Sequence, residues 1–264
     1  MQDKKELKEF LSRKSFLILD GDGTMYLWDK PLQGAKELLE KIRKNGKDFV
    51  IISNNDSKSK STRLNELRSL LNFDLEERNL LLPNEQVINY LKKERIKSFY
   101  GLITKSFKEE LEKAGFVYDR ESPSIVIVGF DTELTYEKLE TSISLIKSGT
   151  KFILTHIDPL CPYKNGGEIP DAGLIVYLVE KATSKEPVKT FGKPYKDIIE
   201  YALSRRGFRK KDSVIIGDRV NTDIKMANEN GIDSILLTKG KKTEKTLYKP
   251  TFAVKSIKDI STII

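Results

Sequence analysis

The sequence predicts an α/β protein: a doubly wound, Rossmann-like parallel sheet forming a core, with a second α/β domain inserted into it. Three observations carry this. Short runs rich in Val, Ile and Leu recur without polar alternation, as strands buried on both faces require. Stretches with helical patterning lie between most of them. Several of the runs end in clusters of Asp, Asn, Ser and Gly, at the carboxyl ends of strands where sheets of this kind bind ligands.

The opening stretch MQDKKELKEFLSRK is charged and has no apolar h-region, so it reads as a short amphipathic lead-in helix and not as a secretory signal. Strand-like runs follow at 15–20 (SFLILD), 48–53 (DFVIIS), 97–103 (KSFYGLI), 124–130 (SIVIVGF), 151–156 (KFILTH), 213–218 (SVIIGD) and 233–238 (DSILLT). Helix-like stretches occupy 34–45, 58–71, 84–94, 105–114, 135–148, 172–182, 196–206 and 222–230. Units of this strand–helix–strand kind cross over right-handed. Pro83 and the polar, proline-bearing SKEPVKTFGKP at 184–194 mark two breaks. They predict an inserted domain over 83–186, with 1–82 and 187–264 building one core domain.

Composition narrows the class. The 264 residues, 38% of them hydrophobic, are enough for a sizeable core, although the charged share of 33% is high. No apolar run approaches the roughly 20 residues that span a bilayer. Cys161 is the single cysteine, which leaves no internal disulfide and suits a reducing cytoplasm. The formal net charge is +8, but 47 Lys and Arg are spread along the chain against 39 acids, without a basic block interleaved with aromatics. That argues against a nucleic-acid binder and leaves a mild bias toward anionic small molecules.

Four polar clusters then converge by topology. Asp20-Gly21-Asp22-Gly23-Thr24 follows the first strand, and Ser53-Asn54-Asn55-Asp56 ends the second. Gly192-Lys193-Pro194 leads into the helix at 196, and Asp218-Arg219-Val220-Asn221-Thr222-Asp223 follows SVIIG. Taken singly, each has a plain reading: an Asp-Gly turn, helix caps, a surface lysine. An EF-hand loop is ruled out, because Met25 stands where it needs glycine and Pro31 where it needs glutamate. Taken together, the carboxylates make an oxygen-rich pocket for a hard cation such as Mg²⁺. One histidine and one cysteine argue against zinc. A lysine and a hydroxyl nearby suit phosphate oxygens. A carboxylate can attack phosphorus, and its neighbour can move the proton.

These motifs resemble those of the haloacid dehalogenase-like phosphatases, over nearly the whole chain. DGDGT matches the DxDGT motif, Ser53 the Ser/Thr that ends the second core strand, Asn54-Asn55 the "TNN" form of one branch, Lys193 the motif lysine, and GDRVNTD the acidic GDxxxxD motif. The insertion resembles the C2-type cap of the NagD-type, or 4-nitrophenylphosphatase, branch. Within it Thr155-His156-Ile157-Asp158 and Cys161-Pro162 resemble the substrate loop, with Ile157 in place of the usual proline. Gly21 stands where the family is commonly apolar.

The resemblance implies the roles. Asp20 would be nucleophile and metal ligand, and Asp22 general acid/base and a ligand through its carbonyl. Asp218 and Asp223 would complete the metal set, with Asp223 orienting a metal-bound water or Lys193. Ser53 and Lys193 would grip the transferring phosphoryl group, and Thr24, Asn54, Asn55, His156 and Asp158 would add substrate contacts. His156 keeps two readings, a structural histidine at a strand end or a substrate contact. Cys161 reads as a small loop residue, and Tyr26 and Trp28 as packing beneath the cap. The expected activity is Mg²⁺-dependent hydrolysis of a small phosphomonoester through an aspartyl-phosphate. The expected partners are a small phosphorylated metabolite and a second copy joined through the cap, with neither nucleic acid nor membrane. Two rivals use the same chemistry: a receiver-like phosphoacceptor, whose acceptor lies on a later strand of a shorter chain, and a non-catalytic phosphate binder, which would lack Asp20 or Asp22.

Overall fold

The computed structural model describes residues 4–240 and 247–264. Its contacts divide the chain into two compact units. Met1–Ser53, Leu64–Leu81 and Lys193–Ile264 form the first; Asn54–Arg63 and Leu82–Gly192 form the second.

The first unit holds a six-stranded sheet, parallel throughout. The strand order is Phe252–Val254, Asp233–Leu237, Ser213–Gly217, Phe16–Asp20, Asp48–Ile52, Leu80–Leu81. The chain begins in the middle, builds outward through Asp48–Ile52, and later returns to the other side of Phe16–Asp20 with Ser213–Gly217. The direction of winding therefore reverses between these two neighbours, which are paired Leu19 to Ile216. In open parallel sheets this switch point, at the carboxyl ends, is where ligands bind. Asp20 and Asp218 leave the sheet there.

Every residue of Phe16–Asp20 and Ser213–Gly217 is buried, the reason their sequences show no polar alternation. Phe16, Ile18, Val50, Ile52 and Ile215 pack with Ile198, Ile199, Ala202 and Leu203 of the helix Lys196–Arg206 and with Met226 of the helix Lys225–Asn230. Helix Ala35–Lys44 buries Ala35, Leu38, Leu39 and Ile42.

The second unit has a five-stranded sheet, also parallel, in the order Lys189–Thr190, Phe152–Leu154, Ile125–Val128, Ser98–Leu102, Val117–Tyr118. Consecutive residues feed opposite faces. Phe99, Ile125 and Ile127 join one apolar cluster with Phe107 and Leu111. Tyr100, Leu102, Val126 and Val128 join another with Ile175, Val176 and Val179 of the helix Ala172–Thr183. The run IVIV is apolar at every position because both of its faces are covered.

All seven strands read from the sequence are present, and so is the lead-in helix, over Lys4–Ser12. Its first three residues lie outside the described ones. The edge strands Leu80–Leu81, Val117–Tyr118, Lys189–Thr190 and Phe252–Val254 are two or three residues long, too short to carry a periodicity. The insert expected over 83–186 compares with a second unit that also takes in 54–63 and 187–192. Polar contacts explain the extra segment. Lys60 Nζ lies 2.8 Å from Glu85 Oε2, its N–H donates to Glu110 Oε1 (3.0 Å), and Thr104 Oγ1 donates to the Ser57 carbonyl (2.9 Å).

Ile18→Ala should destabilise the first unit by about 2–5 kcal/mol, through lost burial and the cavity left behind. Denaturant unfolding followed through Trp28, the only tryptophan and a member of that unit, checks this. A loss below about 1 kcal/mol would contradict the packing described.

Candidate active site

The DGDGT turn is shaped by its glycines. Gly21 N–H donates to the Ile52 carbonyl (3.2 Å), Met25 N–H to that of Gly21 (2.9 Å) and Gly23 N–H to that of Tyr26 (2.7 Å). These bonds fold the chain back so that the Tyr26 ring is wholly buried. A β-carbon at Gly21 would lie 2.5 Å from Tyr26 Oη and 3.3 Å from Ser53 Cβ. The tyrosine thus fills the space that an apolar side chain would need. Gly23 has φ 89°, and a β-carbon there would collide with the Asp218 carboxylate. Ser53 is buried at the end of the next strand, with its N–H donating to the Leu81 carbonyl (3.2 Å).

Lys193 comes to the same edge. Its buried ammonium pairs with Asp20 Oδ1 and lies 2.8 Å from Asp223 Oδ1. Asp223 rides on a π-helical turn, Val220–Ile224, where the sequence reading began an α-helix. The wider turn brings its carboxylate inward, where Oδ2 also accepts from Arg219 N–H (3.1 Å). Gly217 leaves it room, since a β-carbon there would meet the Asp223 side chain. Asp218 Oδ2 accepts from Lys239 Nζ at 2.6 Å. The sequence reading missed Lys239. It lies a whole strand beyond the acidic motif, in an LTKG run with no chemical signature, and only its left-handed backbone (φ 52°) sets it apart.

The charges are interdependent. Burial pushes the Asp20 carboxyl well above the ordinary carboxylate range; Asp223 and Asp218 push the same way, and Lys193 pulls back. Burial raises Asp223 too, against the pull of Lys193. Burial alone would lower the Lys193 ammonium, but Asp20 and Asp223 raise it far above the ordinary lysine value, so it stays charged.

Side-chain oxygens of Asp20, Asp218 and Asp223 come within 4.8 Å of one another. Among the described residues, the buried Asp20 Oδ2 and Asp218 Oδ1 have no hydrogen-bond donor, and neither do the hydroxyls of Thr24 and Thr222. Buried carboxylate oxygens without partners are costly. An all-oxygen set of this kind fits a hard divalent cation. Asp22 is half-buried on the turn, and its side chain is not in the converging set.

Residues 17–117 match the model of the haloacid dehalogenase-like hydrolases, and residues 190–260 that of a HAD-hydrolase-like family. The 4-nitrophenylphosphatase structure of Thermotoga maritima superposes with a TM-score of 0.89 and 33% identity, covering 96% of this chain and 98% of that one. The chain belongs to the haloacid dehalogenase-like hydrolases. Within them it is a NagD-type phosphatase. A 4-nitrophenylphosphatase of Schizosaccharomyces pombe is 28% identical over 96% of this chain and 95% of its own. An acid sugar phosphatase of Staphylococcus haemolyticus is 29% identical over 92% and 94%.

This hydrolase carries the remaining expected site residues, Asn54, Asn55, His156 and Asp158, in its second unit. The sequence leaves His156 two readings, a structural histidine or a substrate contact. The ring has no accessible surface, and Nε2 lies 3.3 Å from Asp56 Oδ1 and 3.4 Å from Asp171 Oδ1. Neither carboxylate was singled out with it from the sequence, since Asp171 lies fifteen residues on and Asp56 a hundred residues back. Burial alone would lower the imidazole, but Asp171, Asp56 and Asp158 raise it to about 9. Burial raises Asp171 to about 7, with His156 pulling it down. Cys161 lies not in a loop, as read from the sequence, but in the short strand Leu160–Pro162, paired with Glu168–Pro170; it is buried, its Sγ accepting from Asn55 Nδ2 at 3.8 Å. Trp28 is half-buried with φ 57°, in the turn between Tyr26–Leu27 and Lys30–Pro31.

A histidine whose folded value is raised stabilises the fold fully below its unfolded value, near 6.5, and loses that contribution as pH climbs through about 9. His156 is the only histidine, so one imidazole proton resonance reports it. Its NMR titration should have a midpoint near 9. Protection of the Phe130 amide, which donates to Asp56 Oδ1 at 3.1 Å, should fall over the same range after correction for intrinsic exchange. A midpoint at the ordinary value would contradict the ion pairing.

Proposed function

We propose that this phosphatase is Mg²⁺-dependent and hydrolyses small phosphomonoesters through an aspartyl-phosphate on Asp20. The substrate class is a sugar phosphate, nucleoside monophosphate, glycerol phosphate, phosphoglycolate or aryl phosphate. The observation that carries the reading is the state of Asp20. It is buried at the switch point of a parallel sheet, with one carboxylate oxygen on Lys193 and the other without a hydrogen-bond partner among the described residues. The family resemblance and the phosphatase relatives support it further.

Ser53 and Lys193 hold the phosphoryl oxygens, and Thr24 borders them on the turn. Asn54, Asn55 and Asp158 add substrate contacts. Asp20 attacks phosphorus; the bond to the ester oxygen breaks, and Asp22 gives that oxygen its proton. Water then attacks the same phosphorus, Asp22 takes up its proton, and the bond to Asp20 breaks to release phosphate. Lys193 draws the Asp20 carboxyl back down against the push of burial, favouring its ionised form. A bound Mg²⁺, held by Asp20, Asp218, Asp223 and the Asp22 carbonyl, would supply charge neutralisation at the phosphoryl oxygens.

The test is release of 4-nitrophenol from 4-nitrophenyl phosphate, with Mg²⁺ and with a chelator. Asp20→Asn should lower kcat by about 10⁴-fold or more, as loss of a nucleophile does. Lys193→Met should move the acid limb of the pH–rate profile upward, because Asp20 loses the charge that holds its carboxyl down. Chelator-insensitive turnover, or a wild-type rate in Asp20→Asn, would overturn the proposal.

A further inference from the structure

We propose that His156 is a positioning residue: its buried ring locks together, inside the second unit, the two segments that are peptide-bonded to Ser53 and Lys193. This rests on the phosphatase reading above.

The ring faces two carboxylates, and a glycine packs close to the side chain's β-carbon. Nε2 faces Asp56 Oδ1 at 3.3 Å and Asp171 Oδ1 at 3.4 Å, and all three residues are buried. Asp56 is the third residue after Ser53, so Asn54 and Asn55 are the only links between them. Its Oδ1 also accepts from Phe130 N–H, and a β-carbon on Gly129 would come within 2.8 Å of its Oδ2. Asp171 caps the helix Ala172–Thr183 by accepting from Ala172 N–H (2.6 Å). Its own N–H donates to the Pro159 carbonyl, and Gly173 N–H to that of Asp158, each at 2.9 Å. The Asp158 loop is thus tied to the same helix end.

Gly192, the residue before Lys193, packs close to the β-carbon of the same side chain. A β-carbon there would lie 2.8 Å from His156 Cβ, 2.7 Å from Asn54 Oδ1 and 3.0 Å from the Thr155 carbonyl. One side chain therefore touches the segment after Ser53, the segment before Lys193 and the cap of the Asp158 loop. With no accessible surface it meets no substrate. Nε2 lies between two carboxylates, in a cluster that also takes in Asp158. Removing the ring's charge would leave two buried carboxylates facing each other without a cation, which is strongly unfavourable. Relief comes by displacing Asn54–Asp56 or the loop, and with them the groups that grip phosphate.

The experiment compares wild type, His156→Gln, and His156→Gln combined with Asp171→Asn, which removes one of the carboxylates left unpaired. Hydrolysis of 4-nitrophenyl phosphate with Mg²⁺ is measured well below each variant's melting temperature, alongside affinity for inorganic phosphate. His156→Gln should lose about ten- to a hundredfold in kcat/KM, the scale of a small misplacement of reacting groups. Phosphate should bind more weakly, and the double variant should recover much of both losses. A folded His156→Gln with wild-type kcat/KM and phosphate affinity would overturn the proposal, whatever its melting temperature. So would a loss that the double variant does not recover, since the ring would then act other than through its carboxylates. Where His156→Gln does not fold, Asp56→Asn is compared with wild type alone: it too should lose kcat/KM and phosphate affinity, and wild-type values of both would overturn the proposal. If wild type itself turns over no ester, the phosphatase reading fails separately. Amide exchange at Asn54 and Asn55 then decides: protection lost in the single variant and regained in the double supports positioning, and unchanged protection overturns it.

Discussion

The ammonium of Lys193, buried between Asp20 and Asp223, is the interaction on which the core site depends. A cation taken out of water costs several kcal/mol unless it is closely paired, and so does each carboxylate. Each carboxylate favours the charged ammonium, and the ammonium favours each carboxylate's ionised form against the push of burial. The pairing also joins parts far apart in sequence: the end of the first strand, the loop entering the helix Lys196–Arg206, and the turn after Ser213–Gly217. The surrounding details accommodate that cluster. Gly217 leaves room for the Asp223 side chain, Gly23 for the Asp218 carboxylate, and a π-helical turn swings Asp223 inward.

Much of this was legible in the sequence because burial on both faces of a strand leaves a plain mark. SFLILD, SIVIVGF and SVIIGD have no polar position to hide, and each became a strand within a residue or two of its reading. The four polar clusters were legible for a related reason, since each follows a strand or opens a helix, where sheets of this class bind ligands. What escaped included the following. Edge strands of two or three residues have no period to detect. Contacts between distant residues leave no local trace: Lys239 on Asp218, Tyr26 in the space beside Gly21, and Asp56 with Asp171 on His156. The start of the 222–230 helix was misread because Thr222 and Asp223 look like ordinary caps, whereas Asp223 is turned to Lys193.

The two units divide the work differently. The first gathers its charged groups around a cluster in which, among the described residues, two carboxylate oxygens have no donor. The second buries an imidazole among carboxylates that are each tied to backbone N–H groups, an arrangement suited to holding chain segments in place. Its parallel sheet is covered on both faces by apolar side chains and gives that network a rigid base.

The most direct test of the central claim, that Asp20 attacks phosphorus, is to catch the covalent intermediate. Asp22→Asn should still be phosphorylated by 4-nitrophenyl phosphate with Mg²⁺, because nitrophenolate leaves without needing a proton. It should then stall, because no carboxylate takes the proton from the attacking water. Rapid acid quench and peptide mass spectrometry should find one phosphoryl group on Asp20, absent from the Asp20→Asn/Asp22→Asn double variant. Steady phosphate release by Asp22→Asn with Asp20 unmodified, or a phosphoryl group on any other residue, would contradict the account.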